Sequence, residues 1–242
     1  MPEWMLKLKK DFIVAFIEDN RWKYLVEGVS NTIILTFFAL ILGVVLGVVI
    51  AAIRTTYDKQ YNEMRNPFAK FFLAIGNAIC KIYLTVIRGT PAMVQILIIF
   101  FIIMASSDNK MLCGIIAFGI NSGAYVAEII RGGIMSIDVG QTEAGRSLGF
   151  NYAYTMWYIV LPQTFKNILP ALANEFIVLL KETAIAGYVG VTDLTRGANI
   201  IRGITYQSFW PLLAIAAIYL VMVMFFTKLV DILERRLRKS ER

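Results

Sequence analysis

The sequence predicts an all-α polytopic membrane protein, and three observations carry that prediction. Of its 242 residues, 58% are hydrophobic and only 17% charged, against about 45–50% and about 25% in soluble domains. Several runs are long enough to cross ~30 Å of hydrocarbon. The clearest is Val29 to Ile53, twenty-five residues without a charge, stopped by Arg54. The basic excess, formally +7, gathers at the edges of such runs, as a chain orienting itself across a bilayer requires. Disorder, collagen and soluble coiled coil are excluded on the same arithmetic, and nucleic acid is not an expected partner. Both cysteines lie in apolar segments and there is no histidine. A disulfide framework, a zinc site and a histidine-dependent nucleophile are therefore unsupported, and neither a metal nor a catalytic residue is expected.

The elements follow in chain order. In residues 1–28, Trp4, Leu8, Phe12 and Phe16 recur every fourth position, the pattern of an amphipathic helix lying along the membrane surface. The segment lacks the regional order of a cleavable signal. The first span is 29–53, where Ala39, Gly43, Gly47 and Ala51 recur every fourth residue and admit another helix closely. Between 67 and 87, the face carrying Lys70, Asn77, Lys81 and Arg88 suits a helix at the interface, or one entering the membrane from it. Thr90 is placed to cap a new helix and Pro91 to open its first turn. The second span, 86–105, then carries Gln95.

The third span, 112–134, carries Asn121, Ser122, Tyr125 and Glu128. Glu128 and Arg131 are three apart and expected to pair. The fourth span, 163–190, holds Glu175, Lys181 and Glu182, and the fifth covers 210–231. Together the spans form one unit, 29–235, followed by a basic tail, 236–242. A cytoplasmic tail puts fifteen basic residues inside and eight outside, the bias expected of inward-facing segments. That places the N-terminus outside, although its own five basic residues run against the bias.

The loop 136–162 is the most informative stretch. Asp138 with Gln141 reads as a capping box and Gly149 as the left-handed residue that ends a helix of about ten residues. Ala144, Gly145 and Ser147 keep part of its surface thin, while Glu143 and Arg146 offer charge. Such a helix either enters another protein's groove or lies on its own membrane domain, and local physics leaves both open.

Glu143-Ala144-Gly145, Gly149, Ile159 and Leu161-Pro162 together resemble the "EAA" loop of bacterial ABC importer permeases, with Gly145 where that family usually has alanine. Arg88-Gly89-Thr90-Pro91 with Gln95, Ala127 through Gly133, and Leu180 through Ala184 resemble the polar amino-acid uptake branch. That branch usually has serine at the place of Ala184 and a proline near Asp138. The resemblance covers roughly residues 20 to 235. It implies a type I ABC importer transmembrane domain with about five core helices, working as half of a homodimer or heterodimer in the bacterial inner membrane. Glu143, Ala144, Gly145, Arg146 and Gly149 would dock a separate ATPase subunit, and an extracytoplasmic solute-binding protein would deliver the substrate. The chain has no Gly-x-x-x-x-Gly-Lys-Ser/Thr loop to hold phosphates. It is therefore expected to be no enzyme and to bind no cofactor, with ATP and magnesium held by the partner.

The substrate is expected on intramembrane polar groups, because burying them in lipid is expensive. Counted along their helices, Glu175 lies ~18 Å in from Gln163 and Asn121 ~13 Å in from Leu112, so the two can share a level. Glu175 suits a cationic group, while Asn121, Ser122, Tyr125 and Gln95 offer neutral hydrogen bonds. The bland alternative is that Glu175 pairs with a basic residue. A permease for methionine or phosphonate, or a secondary transporter, are the competing readings, and the last would show internal repeats.

Overall fold

A computed structural model describes residues 2–239, so residues 240–242 of the expected basic tail lie outside the described residues. The helices are α1 (Glu3–Phe12), α2 (Trp22–Gln60), α3 (Pro67–Gly89), α4 (Ala92–Ile98), α5 (Lys110–Met135), α6 (Val139–Ser147), α7 (Tyr152–Thr155), α8 (Leu161–Glu182), α9 (Leu194–Thr205) and α10 (Phe209–Lys239). Wider π-type turns extend α4 through Ile103 and precede α8 at Met156–Val160. No strand occurs among the described residues.

The helices outrun the apolar segments that foretold them. α2 covers Trp22–Gln60 rather than 29–53. Arg54 ends the apolar run, but nothing from there to Gln60 is a proline or glycine, so the backbone continues. Charge marks a membrane edge; it does not stop a helix. By length and composition, α2, α3, α5 and α10 can cross a bilayer. α8, with Lys166, Glu175, Lys181 and Glu182 along it, is not in that set.

The core is a parallel pair, α2 with α5. Leu35 packs at Gly114, Leu42 at Gly119, Gly43 at Ser122 and Gly47 at Val126, so the two chains descend in step. The four-residue stripe of small residues expected on α2 is buried throughout at this seam, and Gly114, Gly119 and Gly123 answer it from α5. Missing Cβ atoms on both sides let the backbones approach, which drives association where lipid is as apolar as the helix.

α8 runs antiparallel to α5, with Ile168 seated against Gly133 at one end and Glu175 against Ser122 further up. α10 covers α8 and α9, with the Phe176 and Phe226 rings edge to face at 4.9 Å. α9 closes on the start of α2, where Asn31 donates to the Thr192 carbonyl and the Leu194 amide donates to Thr32 Oγ1. The N-terminal segment lies at this same end: Trp210 Nε1 donates to the Leu8 carbonyl, and Phe12 packs on both Phe16 and Trp210.

α3, expected either at the interface or entering the membrane from it, has the packing of the second. Its polar stripe turns inward only in part: Asn77 is buried and Lys70 half-buried, Lys81 and Arg88 are exposed, and on the other side Phe68, Phe72, Ile75, Ile79, Ile82 and Val86 are exposed. That arrangement belongs to a helix within the bilayer, where ionisable groups turn toward protein and apolar ones toward lipid. The chain bends after it at Thr90-Pro91. Here too the local reading is corrected: Thr90 ends α3, and Pro91 precedes α4 as its N-cap without a side-chain bond. The Thr90 hydroxyl donates back to the Val86 carbonyl instead.

Candidate functional site

Two polar constellations stand on α5, one in mid-bundle and one at the end that carries α6. In the first, the Ser122 hydroxyl donates to Glu175 Oε1 at 2.9 Å, and both residues are buried. Among the described residues Glu175 makes no ion pair, so the alternative of a basic partner within the chain is not met. A buried carboxylate held by one hydroxyl keeps capacity for further donors. Glu182, seven residues on, shares its face of α8.

Beside this group, Asn121 Nδ2 donates to Gln95 Oε1 at 2.9 Å, and Gln95 Nε2 donates to the Ile87 and Thr90 carbonyls and to Thr90 Oγ1. The shared level of Asn121 and Glu175 foreseen by counting is present through Ser122. These bonds brace the bend between α3 and α4, a structural task that Gln95 and Asn121 carry in addition to any contact with a ligand. Tyr125 is partly exposed, with the Arg88 guanidinium 5.9 Å from its ring.

At the other end, α6 is a nine-residue helix. Gly149, at φ 84°, terminates it, and the Phe150 amide returns to the Gly145 carbonyl, the bonding of a left-handed cap. The expected capping box is only half present. Asp138 accepts from the Gly140 amide, but Gln141 accepts from Gln163 Nε2 on α8 instead of reaching back. Glu143, Ala144, Arg146 and Gly149 are exposed, whereas Gly145 is buried against Thr155 and Ile159 of its own chain. Gly145 therefore fixes the helix to its base and does not contribute to the outer face. Arg146 reaches Glu63 beyond the end of α2 at 3.1 Å.

A cavity of about 320 Å³ opens behind α6, lined in part by Lys59, Glu143, Arg146 and Tyr152. Burial there holds the Tyr152 phenol above its usual range. The expected Glu128–Arg131 pair is loose at 4.0 Å. Arg131 instead donates through Nε and Nη2 to Asp58 at 3.2 and 3.0 Å, latching α5 to α2. Glu128 has Arg88 at 3.7 Å. The Asp58 latch was not read from the sequence, where a carboxylate just past an apolar run signals only a membrane edge.

Comparison with known proteins matches residues 68–239 to the family described as binding-protein-dependent transport system inner membrane component. An arginine transport system permease protein, ArtQ of Bacillus subtilis, is 39% identical over 166 residues, covering 67% of this chain and 76% of that protein. A glutamine transport system permease protein, GlnP of Escherichia coli K12, is 37% identical over 169 residues, covering 68% and 77%. A solved structure described as an amino acid ABC transporter with histidines superposes at a TM-score of 0.79 with 42% identity, over 91% of this chain and 98% of that one. The MetNI methionine transporter, at 19% identity and a TM-score of 0.74, shares the fold. This chain belongs to the family of binding-protein-dependent transport system inner membrane components, the transmembrane permeases of ABC importers.

Proposed function

We propose that this permease carries polar amino acids, including cationic ones, across the bacterial inner membrane. Its relatives named for glutamine and arginine transport support that class. The single observation that carries the reading is Glu175, a buried carboxylate with no cationic partner among the described residues, held at mid-depth by Ser122. Keeping such a group in lipid is costly unless it serves a polar ligand. An α-ammonium, or the charged end of a basic side chain, completes it. The Ser122 hydroxyl orients the carboxylate, and Tyr125 offers a further contact beside it.

In this reading the spans run at 22–60, 67–103, 110–135, 161–189 and 209–239, with the N-terminus outside and the tail in the cytoplasm. The outer face of α6, with Glu143 and Ala144, seats in a separate ATPase subunit that holds ATP and magnesium. A second permease copy or sister subunit completes the pathway, and an extracytoplasmic solute-binding protein loads it. Closure of the ATPase pair displaces α6, and the Asp58–Arg131 latch passes that displacement to α2 and α5.

Reconstitution of the assembled complex tests the site. Arginine uptake driven by ATP is expected to fall at least tenfold in Glu175→Gln, which keeps the shape and removes the charge, with the ATPase still bound. Wild-type arginine and glutamine uptake in that variant would refute the assignment.

A further inference from the structure

A second polar cavity, of about 450 Å³, lies between α2, α3 and α5 and is lined by Arg54, Lys81, Thr85, Arg88, Gly89 and Glu128. Its charges do not balance. Arg54, Lys81 and Arg88 share the one carboxylate of its lining among the described residues, Glu128, while the neighbouring Arg131 spends its short bonds on Asp58. Arg88 approaches Glu128 only to 3.7 Å. Arg54 Nε is buried with no hydrogen-bond partner, and neither Arg54 nor Lys81 forms an ion pair among the described residues. Two positive charges are thus left without a counter-charge. Lys81 and Arg88 are exposed, but Arg54 keeps a buried Nε with nothing to donate to, and an anion in the cavity would relieve that cost.

The side of α3 that bears these cations identifies the anion. Lys81 and Arg88, seven residues apart, lie opposite the exposed apolar stripe that includes Phe72, Ile79 and Val86. A lipid headgroup would reach that stripe first; the cationic side opens inward, toward α5. There Asn121, Tyr125 and Glu128, spaced by four and three, run down one face from the level of Glu175 to the cavity. From Ser122 to Glu128 the drop is ~9 Å, farther than the ammonium and carboxylate of one α-amino acid lie apart. An amino acid held at Glu175 by its α-ammonium therefore reaches the cavity only by moving.

We propose that this cavity holds the α-carboxylate of the transported amino acid, as a second station on the α6 side of Glu175. The proposal rests on the amino-acid reading above. At Glu175 the substrate is held by its positive group; at Arg54, Lys81 and Arg88 it is held by its negative one.

The test uses proteoliposomes of the complete complex, loaded on the α6 side with arginine, glutamine or the α-amide of either, while ATP-driven uptake from the opposite side is measured. Each inhibition is expressed against the same preparation's uptake with nothing loaded. The amino acids are expected to inhibit at least tenfold more strongly than their α-amides in the wild type, a comparison that requires no variant. In Arg54→Gln/Lys81→Gln the half-inhibiting amino-acid concentration is expected to rise about tenfold, while Glu175→Gln keeps the preference for carboxylate over amide. Equal inhibition by amides and amino acids, or an unchanged double variant, overturns the proposal. So does loss of a co-purifying anionic phospholipid in the double variant with inhibition unaltered, which assigns the cavity to lipid. Failure of the wild-type complex to take up either amino acid instead refutes the transport reading, and this proposal falls with it.

Discussion

Gly145 offers a sharp test of how α6 is mounted. A Cβ built there would meet Thr155 Cγ2 and Oγ1 at 2.9 Å and Ile159 Cδ1 at 3.1 Å. Isoleucine's terminal carbon can yield, but the β-branched threonine has little χ1 freedom. Overpacking of this kind costs about 1–3 kcal/mol, against which Gly→Ala in a helix regains about 1 kcal/mol. Gly145→Ala alone should therefore lower stability by roughly 0–2 kcal/mol. In the Thr155→Ala background both close atoms are gone, and the same change should stabilise by up to about 1 kcal/mol. The predicted coupling is about 1–3 kcal/mol, measurable by a double-mutant cycle. Thermal unfolding of the purified protein reads it, at about 2–4 °C per kcal/mol for a chain of this size. The reversal of sign is the critical outcome. If Gly145→Ala raises the melting temperature equally in both backgrounds, α6 does not rest on Thr155 and the account of its mounting is wrong. ATPase stimulation should follow stability, since the outer face of α6 is untouched.

Other expectations can be checked on the same preparations. At Gly47 a Cβ would stand 2.5 Å from Val126 Cγ1 and 2.9 Å from the Ala127 amide. Gly47→Ala should therefore cost about 1–3 kcal/mol, whereas Gly203→Ala, in open space, should cost nothing and gain up to about 1 kcal/mol; a matching loss at both sites in thermal unfolding contradicts the close seam. Asp193, fully buried at the start of α9, has its carboxyl pushed up to about 6, chiefly by burial, against the opposing bonds from the Arg196 and Thr195 amides. Because the folded value lies above the unfolded one, its contribution to stability is complete below pH ~4 and is lost as pH rises through about 6, on the order of 2–3 kcal/mol. Asp193→Asn, still able to cap α9, should flatten that part of the pH–stability curve, and an unchanged slope would dismiss Asp193 as its source.

What the sequence disclosed follows from the range of the forces involved. The small-residue stripe on α2 and the left-handed glycine after α6 were legible because each is a requirement on a few consecutive residues. Asp138 was legible for the same reason. The errors share another cause: a distant partner outcompetes a nearby one. Gln141 had the spacing to cap α6 but bonds Gln163, and Arg131, which keeps the expected Glu128 at 4.0 Å, makes its shorter bonds to Asp58, 73 residues earlier in the chain. Gln95 and Asn121 were read as polar groups for a ligand, and nothing local reveals that residues 26 apart also bond each other. The face carrying Lys70, Asn77, Lys81 and Arg88 was legible as one side of a helix, but whether that helix lies at the interface or enters the membrane was not. Helical spacing shows that residues share a side; only the packing of α3 on α2 and α5 decides whether that side is wet, lipid-facing or internal.

The same packing bears on how a force at α6 would travel. Sliding α2 past α5 would drive Leu42 and Leu46 out of the recesses at Gly119 and Gly123, and interlocked side chains do not deform continuously. The Asp58–Arg131 bond adds a transverse tie at the end nearest α6. α2 and α5 are therefore constrained to move as one body. α8 meets that body through Ile168 at Gly133 and through the Glu175–Ser122 bond, so the mid-depth carboxylate sits where α8 joins the pair. A tilt of α8 against the α2–α5 body stretches that bond before it disturbs the glycine seam. Release of Glu175 from Ser122 would thus precede any slip of the seam between α2 and α5.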